Sequence, residues 1–127
     1  MAPSLVTRGI RITVISQFLP NRSPEGSFAF AYEVTIANTG SDRVQLISRH
    51  WVITDATGAV REVKGPGVVG EQPVIEPGNQ FSYSSWSMLA TPIGTMKGTY
   101  QMTVLEGALD FDALIPEFIL NADQTIH

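Results

Sequence analysis

At 127 residues, with 43% hydrophobic and 16% charged content, the chain has the composition of one globular domain and not of a disordered segment. Its formal net charge of −4 and eight scattered basic residues argue against nucleic acid as a partner, because a phosphate backbone needs clustered Lys and Arg. The lack of cysteine excludes disulfides, thiolate nucleophiles and Cys-ligated zinc or iron–sulfur sites.

The first eight residues, Met1 to Arg8, contain no apolar signal-peptide core, and no apolar run approaches the roughly 18 residues of a membrane helix. A cytoplasmic chain that inserts in no membrane is expected. Ile10, Ile12 and Val14 then alternate with Gly9, Arg11 and Thr13, the pattern of a strand with one buried face. Ser23-Pro24-Glu25-Gly26 has Pro and Gly where a type I turn places them.

The clearest strand follows. Phe28, Phe30, Tyr32, Val34 and Ile36 share one parity, with small or polar residues between them. A helix would scatter these side chains around its circumference, whereas a strand lines them on one face. Burying each is worth roughly 1.5–3 kcal/mol, so this strand belongs at the centre of the core. After the turn cluster Asn38 to Asp42, Val44 and Leu46 hold one parity and Ile47, Trp51 and Ile53 the other. That slip predicts a bulge or a change of sheet near Ile47. Asp55 to Gly58 reads as a hairpin turn, and Val60 and Val63 lead into a glycine-rich stretch, Gly65-Pro66-Gly67-Val68-Val69-Gly70-Glu71.

Glu76-Pro77-Gly78-Asn79 fits a type II turn with Gly at the position of positive φ. Phe81 and Tyr83 alternate, and Trp86 and Met88 then take the opposite parity. Tyr100, Met102 and Val104 form another strand; Leu109 to Leu120, bent near Pro116, forms the last, and Asn121 to His127 reads as a loose tail. No helix pattern of useful length is present. The expectation is an all-β, antiparallel β-sandwich of about seven or eight strands, one domain over 1–127 with its core at about 8–120.

The glycine stretch spells GxGxxG, but a dinucleotide fingerprint also needs a helix after it, and Glu71-Gln72-Pro73 starts none. A weaker phosphate reading is an anion nest built from the amides of Gly65, Gly67, Val68 and Gly70, opposed by Pro66, which has no N–H, and by the charge of Glu71. The plain alternative is a loop whose glycines serve backbone geometry. Arg49 shares the parity of Trp51 and Ile53, so it is expected either to bind an anion or to clamp a backbone carbonyl or Glu71 from inside. His50 has no evident partner.

The other histidine is the terminal His127, and no metal-ligand spacing occurs. Asp110 and Asp112 share a strand face and read as its solvated side. Ser82, Ser84, Ser85 and Ser87 around Trp86 form no nucleophile elbow and read as outward residues. No catalytic set is found, and no metal site or cofactor is expected.

Several segments together resemble the bacterial ApaG proteins. They are Ala29 to Tyr32, Arg49 to Asp55, Gly65 to Pro73, Pro77-Gly78, Gly94 to Met102 and Ile115 to Phe118; Trp86 stands where that family has a small residue, often Gly. The resemblance runs from about Ile10 to His127. It implies an immunoglobulin or fibronectin type III-like sandwich and a glycine loop proposed in the family as a pyrophosphate site. It also implies an association with cobalt resistance and magnesium efflux phenotypes, and a likeness to protein-interaction modules in eukaryotic F-box proteins and a polymerase-interacting protein. The expectation that follows is a non-enzymatic interaction domain, monomer or homodimer, binding an unknown protein partner through the glycine loop, Arg49, His50 and Glu71. The alternative is a phosphate, pyrophosphate or nucleotide ligand on Gly65, Gly67, Val68 and Gly70, with Mg²⁺ entering only alongside it. A hydrolase of nucleoside polyphosphates is the remotest reading.

Overall fold

The computed structural model describes residues 2–125. Nine strands are found among them: β1 Ser4–Thr7, β2 Ile10–Phe18, β3 Phe28–Asn38, β4 Val44–Asp55, β5 Val60–Pro66, β6 Val74–Ile75, β7 Gln80–Leu89, β8 Ile93–Val104 and β9 Leu109–Asn121. They form two antiparallel sheets, β1-β2-β3-β7 and β5-β4-β8-β9, with β6 also paired to β4. The two sheets stack as a sandwich of the immunoglobulin or fibronectin type III kind. No helix of the described residues is long and apolar enough to cross a membrane.

The alternation in β3 does what its pattern predicts. Phe30, Tyr32, Val34 and Ile36 are buried, Phe28 packs against them, and β3 lies between β2 and β7. Ile10, Ile12 and Val14 of β2 complete that inner face. The opposing sheet contributes Leu46, Trp51, Tyr100, Met102 and Leu120, with the ring of Trp51 edge-on to those of Tyr100 and Phe118. A polar contact also crosses the core: the hydroxyls of Tyr83 on β7 and Tyr100 on β8 lie 2.5 Å apart.

Three expectations shift. The first turn is Pro24–Ser27, because Ser27 N–H donates to the Pro24 carbonyl at 2.9 Å and Gly26 takes φ +81°. Ser23 lies outside that turn because its hydroxyl is already engaged, donating to Leu19 O and accepting from Ala29 N–H. Second, the ends are more ordered than a core of 8–120 implies. Residues 4–7 form β1 on the edge of β2, and a 3-10 turn, Ala122–Thr125, buries Ala122. Residues 126 and 127 lie outside the described residues.

Third, β7 keeps one phase throughout. Its register with β3 runs without a shift from Leu89 opposite Phe28 to Gln80 opposite Ala37. Trp86 therefore points out, 60% exposed, while Ser85 and Ser87 point in. The interior there is polar enough to accept serines. Tyr32 hydrogen-bonds Ser85, and Arg61 Nη2 donates to Ser87 Oγ at 3.1 Å.

The seam between β1, β2 and β9 closes the sandwich. β9 packs against both β1 and β2, and the Leu114 N–H donates to Thr7 Oγ1 at 3.1 Å.

Candidate functional site

The glycine loop is built by an irregularity in β4. Opposite β8, the register jumps between Leu46 and Ser48, leaving Ile47 unpaired as a bulge, as the phase slip predicts. The bulge has two consequences. It turns Ile47's carbonyl toward the loop, where it accepts from Gly67 N–H and from Gln72 Nε2, each at 2.8 Å. It also reverses the phase of β4, so Arg49 faces inward.

β5 pairs with Ser48 to Thr54 and β6 with Val44 and Gln45, in one continuous direction along β4. Residues 67–73 are thus an excursion from a single interrupted edge strand. Its tip is a two-residue hairpin, in which Val68 N–H donates to Glu71 O at 2.8 Å and Glu71 N–H to Val68 O at 2.9 Å. Both central residues are left-handed, Val69 at φ +44° and Gly70 at φ +81°, as a type I′ turn requires. Gly67 also sits at φ +57°, where a Cβ would lie 2.2 Å from the Glu71 carbonyl. Only glycine fits there.

Arg49 clamps the base of this hairpin. Its Nη1 donates to Pro66 O at 3.0 Å and to Gly67 O at 2.9 Å. Gly65 leaves the space for it, since a Cβ would come within 2.9 Å of the guanidinium. Of the partners foreseen for Arg49, the backbone carbonyls are the ones it takes; Glu71 is exposed and engaged through its backbone. The same guanidinium sits close enough to Tyr32, Tyr83 and Tyr100 to favour their ionised forms. Burial is the larger effect on all three and holds their hydroxyl pKa values above the usual tyrosine range.

His50 points to the opposite face, as its parity demands, and its Nε2 lies 2.6 Å from Glu62 Oε1. Glu62 escapes a sequence reading because it comes from the neighbouring strand, one diagonal step across the ladder from His50. A shallow depression of about 240 Å³ gathers Arg49, His50 and Gly65 with Ser48, Lys64 and Gln101. Gly67, Val68, Gly70 and Glu71 are not part of it, so the structure divides the seven candidate residues between this depression and the hairpin. Val68 is the buried root of the hairpin, and its neighbour Val69 is 57% exposed at the apex.

For a phosphate, the hairpin's amides are mostly engaged. Gly67, Val68 and Glu71 donate within the fold, and Pro66 has no N–H, which leaves Val69 and Gly70 at the tip. Asp110 and Asp112 are exposed on β9, Asp110 accepting from Thr103 Oγ1 at 2.7 Å. No group of three or more His, Asp or Glu side chains able to hold a metal occurs among the described residues. His127 lies outside them.

Comparison with known proteins gives a consistent picture. The ApaG domain family matches residues 20–104. A Protein ApaG from Aromatoleum aromaticum is 52% identical over 120 residues, covering 93% of this chain and 94% of that one. A Protein ApaG from Nitrosospira multiformis is 50% identical with the same coverage. Among solved structures, a Bordetella pertussis protein described as ApaA superposes with a TM-score of 0.85 at 44% identity, covering 94% of each chain. The C-terminal domain of wzt, at 9% identity and a TM-score of 0.54, shares the fold alone.

Proposed function

Because the chain belongs to the ApaG family, we propose that it works as a non-enzymatic interaction domain, docking a protein partner at the tip of the 67–71 hairpin. The observation that carries this reading is Val69. A β-branched residue at φ +44° is a true outlier, costing about 1–3 kcal/mol, where Asn or Gly would cost little. The strain is borne to hold up an apolar side chain that touches solvent. Arg49, Gly67 and the bulge at Ile47 rigidify the hairpin, and a rigid apolar anchor loses little entropy on docking. The partner that fits is a protein with an apolar recess. On this reading the domain acts in the cytoplasm, and the family's link to cobalt resistance and magnesium efflux runs through that partner and not through passage of ions by this chain.

The test places a photo-crosslinking residue at Val69 and, as a control, at the equally exposed Val60, in cells that normally make the protein. A discrete crosslinked species from position 69 alone, lost when Gly67→Ala distorts the hairpin, is expected. Equal capture from both positions, or capture that survives Gly67→Ala, overturns the proposal. Phosphate ligation remains the second reading, resting on the amides of Val69 and Gly70. Saturable amide shifts at those two residues on titration with pyrophosphate, with or without Mg²⁺, would favour it instead.

A further inference from the structure

Every exposed strand edge invites another strand, and proteins usually blunt such edges with charge, proline, bulges or brevity. Three edges of this sandwich are blunted in those ways. β1 has four residues and lies against β9. β5 carries Arg61, Glu62, Lys64 and Pro66. β9 carries Asp110, Asp112, Pro116 and Glu117, and its register shifts opposite Met96 and Gly98.

The fourth edge, β7, has none of these devices. It runs ten residues, longer than the usual five or six, with no charge, no proline and no break in register. Its backbone polarity is also fixed. Met88 O points away from β3 and accepts from Arg61 Nη2 at 3.2 Å, so the alternate residues Gln80, Ser82, Ser84 and Trp86 turn their N–H and C=O groups the same way, off the sheet. Arg61 closes the Met88 end and leaves the edge from Gln80 to Trp86 open. On the adjoining outer face, the exposed indole of Trp86 walls a groove of about 410 Å³ with Leu19, Arg22 and Ala31.

We propose that this edge is a self-association surface, at which β7 pairs antiparallel with β7 of a second copy about a two-fold axis near Ser84. The chemistry selects a second copy. Each chain has a net charge of −4, so like faces repel, and β7 is the one long edge where a two-fold brings no charge against its equal. The outward donors and acceptors of an antiparallel strand are complementary to their own two-fold image. Pairing joins the two four-stranded sheets into one continuous sheet. The buried area is a short ladder plus two indoles, each worth roughly 150–250 Å² when covered, at the low end for a specific interface. The dimer is therefore weak and concentration-dependent.

Sedimentation equilibrium from about 10 μM to about 1 mM tests this. The weight-average mass should climb from 13.8 kDa toward twice that value, further at high salt as screening weakens the repulsion. Ser84→Pro removes an outward N–H and no β3 ladder bond, so the fold survives on an edge strand and the mass should stay monomeric. Should Ser84→Pro not fold, Ser84→Lys supplies the second reading, since the exposed position 84 faces its own copy and like charges then meet at the axis. A wild-type chain that stays monomeric throughout, or a dimer that persists in the folded variants, overturns the proposal.

Discussion

The hydroxyl of Tyr83 meets that of Tyr100 across the core, joining the two sheets by a polar contact among the buried side chains. With Tyr32 nearby, these are all three tyrosines of the chain. Burial raises each above its unfolded pKa of about 10. A folded pKa above the unfolded one means that the stabilisation is complete below pH about 10 and is lost as pH rises toward the folded values. A spectrophotometric titration should therefore show less phenolate near pH 10 than three free tyrosines would give. The part of the signal due to Tyr83 and Tyr100 should appear in a cooperative step that coincides with loss of β-sheet circular dichroism. Ionisation of all three tyrosines at the ordinary pKa while the fold persists would contradict the burial argument.

Removing one member of the pair should cost more than removing both. Tyr83→Phe leaves the Tyr100 hydroxyl buried with no partner, a loss of about 1–3 kcal/mol. The double variant with Tyr100→Phe should recover much of it, because the orphaned group is gone. Urea unfolding of the two single variants and the double variant closes the cycle and gives the coupling directly.

The hairpin offers a graded series. Gly67→Ala drives a Cβ into the Glu71 carbonyl and should cost about 2 kcal/mol or more. Gly70→Ala faces open space and should cost only the left-handed backbone term, about 1 kcal/mol. Val69→Asn should do the reverse and stabilise by about 1 kcal/mol, since Asn-Gly suits a type I′ turn. Thermal melts rank the three, and equal losses at Gly67 and Gly70 would refute the close contact. A more stable Val69→Asn that docks no partner would mark Val69 as a place where stability yields to function.

Arg49→Ala should release the hairpin without unfolding the sandwich. Two carbonyls lose their donor, and hydrogen exchange should quicken at Gly67, Val68 and Glu71 while the amides of β2 and β3 keep their protection. Uniform acceleration across both sheets would mean that Arg49 supports the core and not the loop.

Much of this architecture is legible in the amino-acid order because the core strands bury one face each, so parity speaks directly. Phe28 to Ile36 announces β3, and the slip at Ile47 announces the bulge. β7 misleads because the same logic assumes an apolar interior. Ser85 and Ser87 point inward only because Tyr32 and Arg61, far off in sequence, offer them hydrogen bonds. The glycine motif is visible as punctuation, but Val69 is silent: nothing in Val-Val distinguishes the buried side chain from the strained, exposed one. The Glu62 partner of His50 is equally hidden, since strand register and not sequence spacing brings them together.

The seam between Thr7 and Leu114, 107 residues apart, bears on how the protein is made. During synthesis β2 emerges early, yet the strand that covers its flank is the last of the nine to leave the ribosome. Ile10, Ile12 and Val14 wait uncovered on that side until β9 emerges. The sandwich therefore closes only after all nine strands have been made, in a slow step dominated by distant contacts. A nascent chain stalled before Leu109 should be a substrate for chaperones, and one stalled past Asn121 on a linker should not.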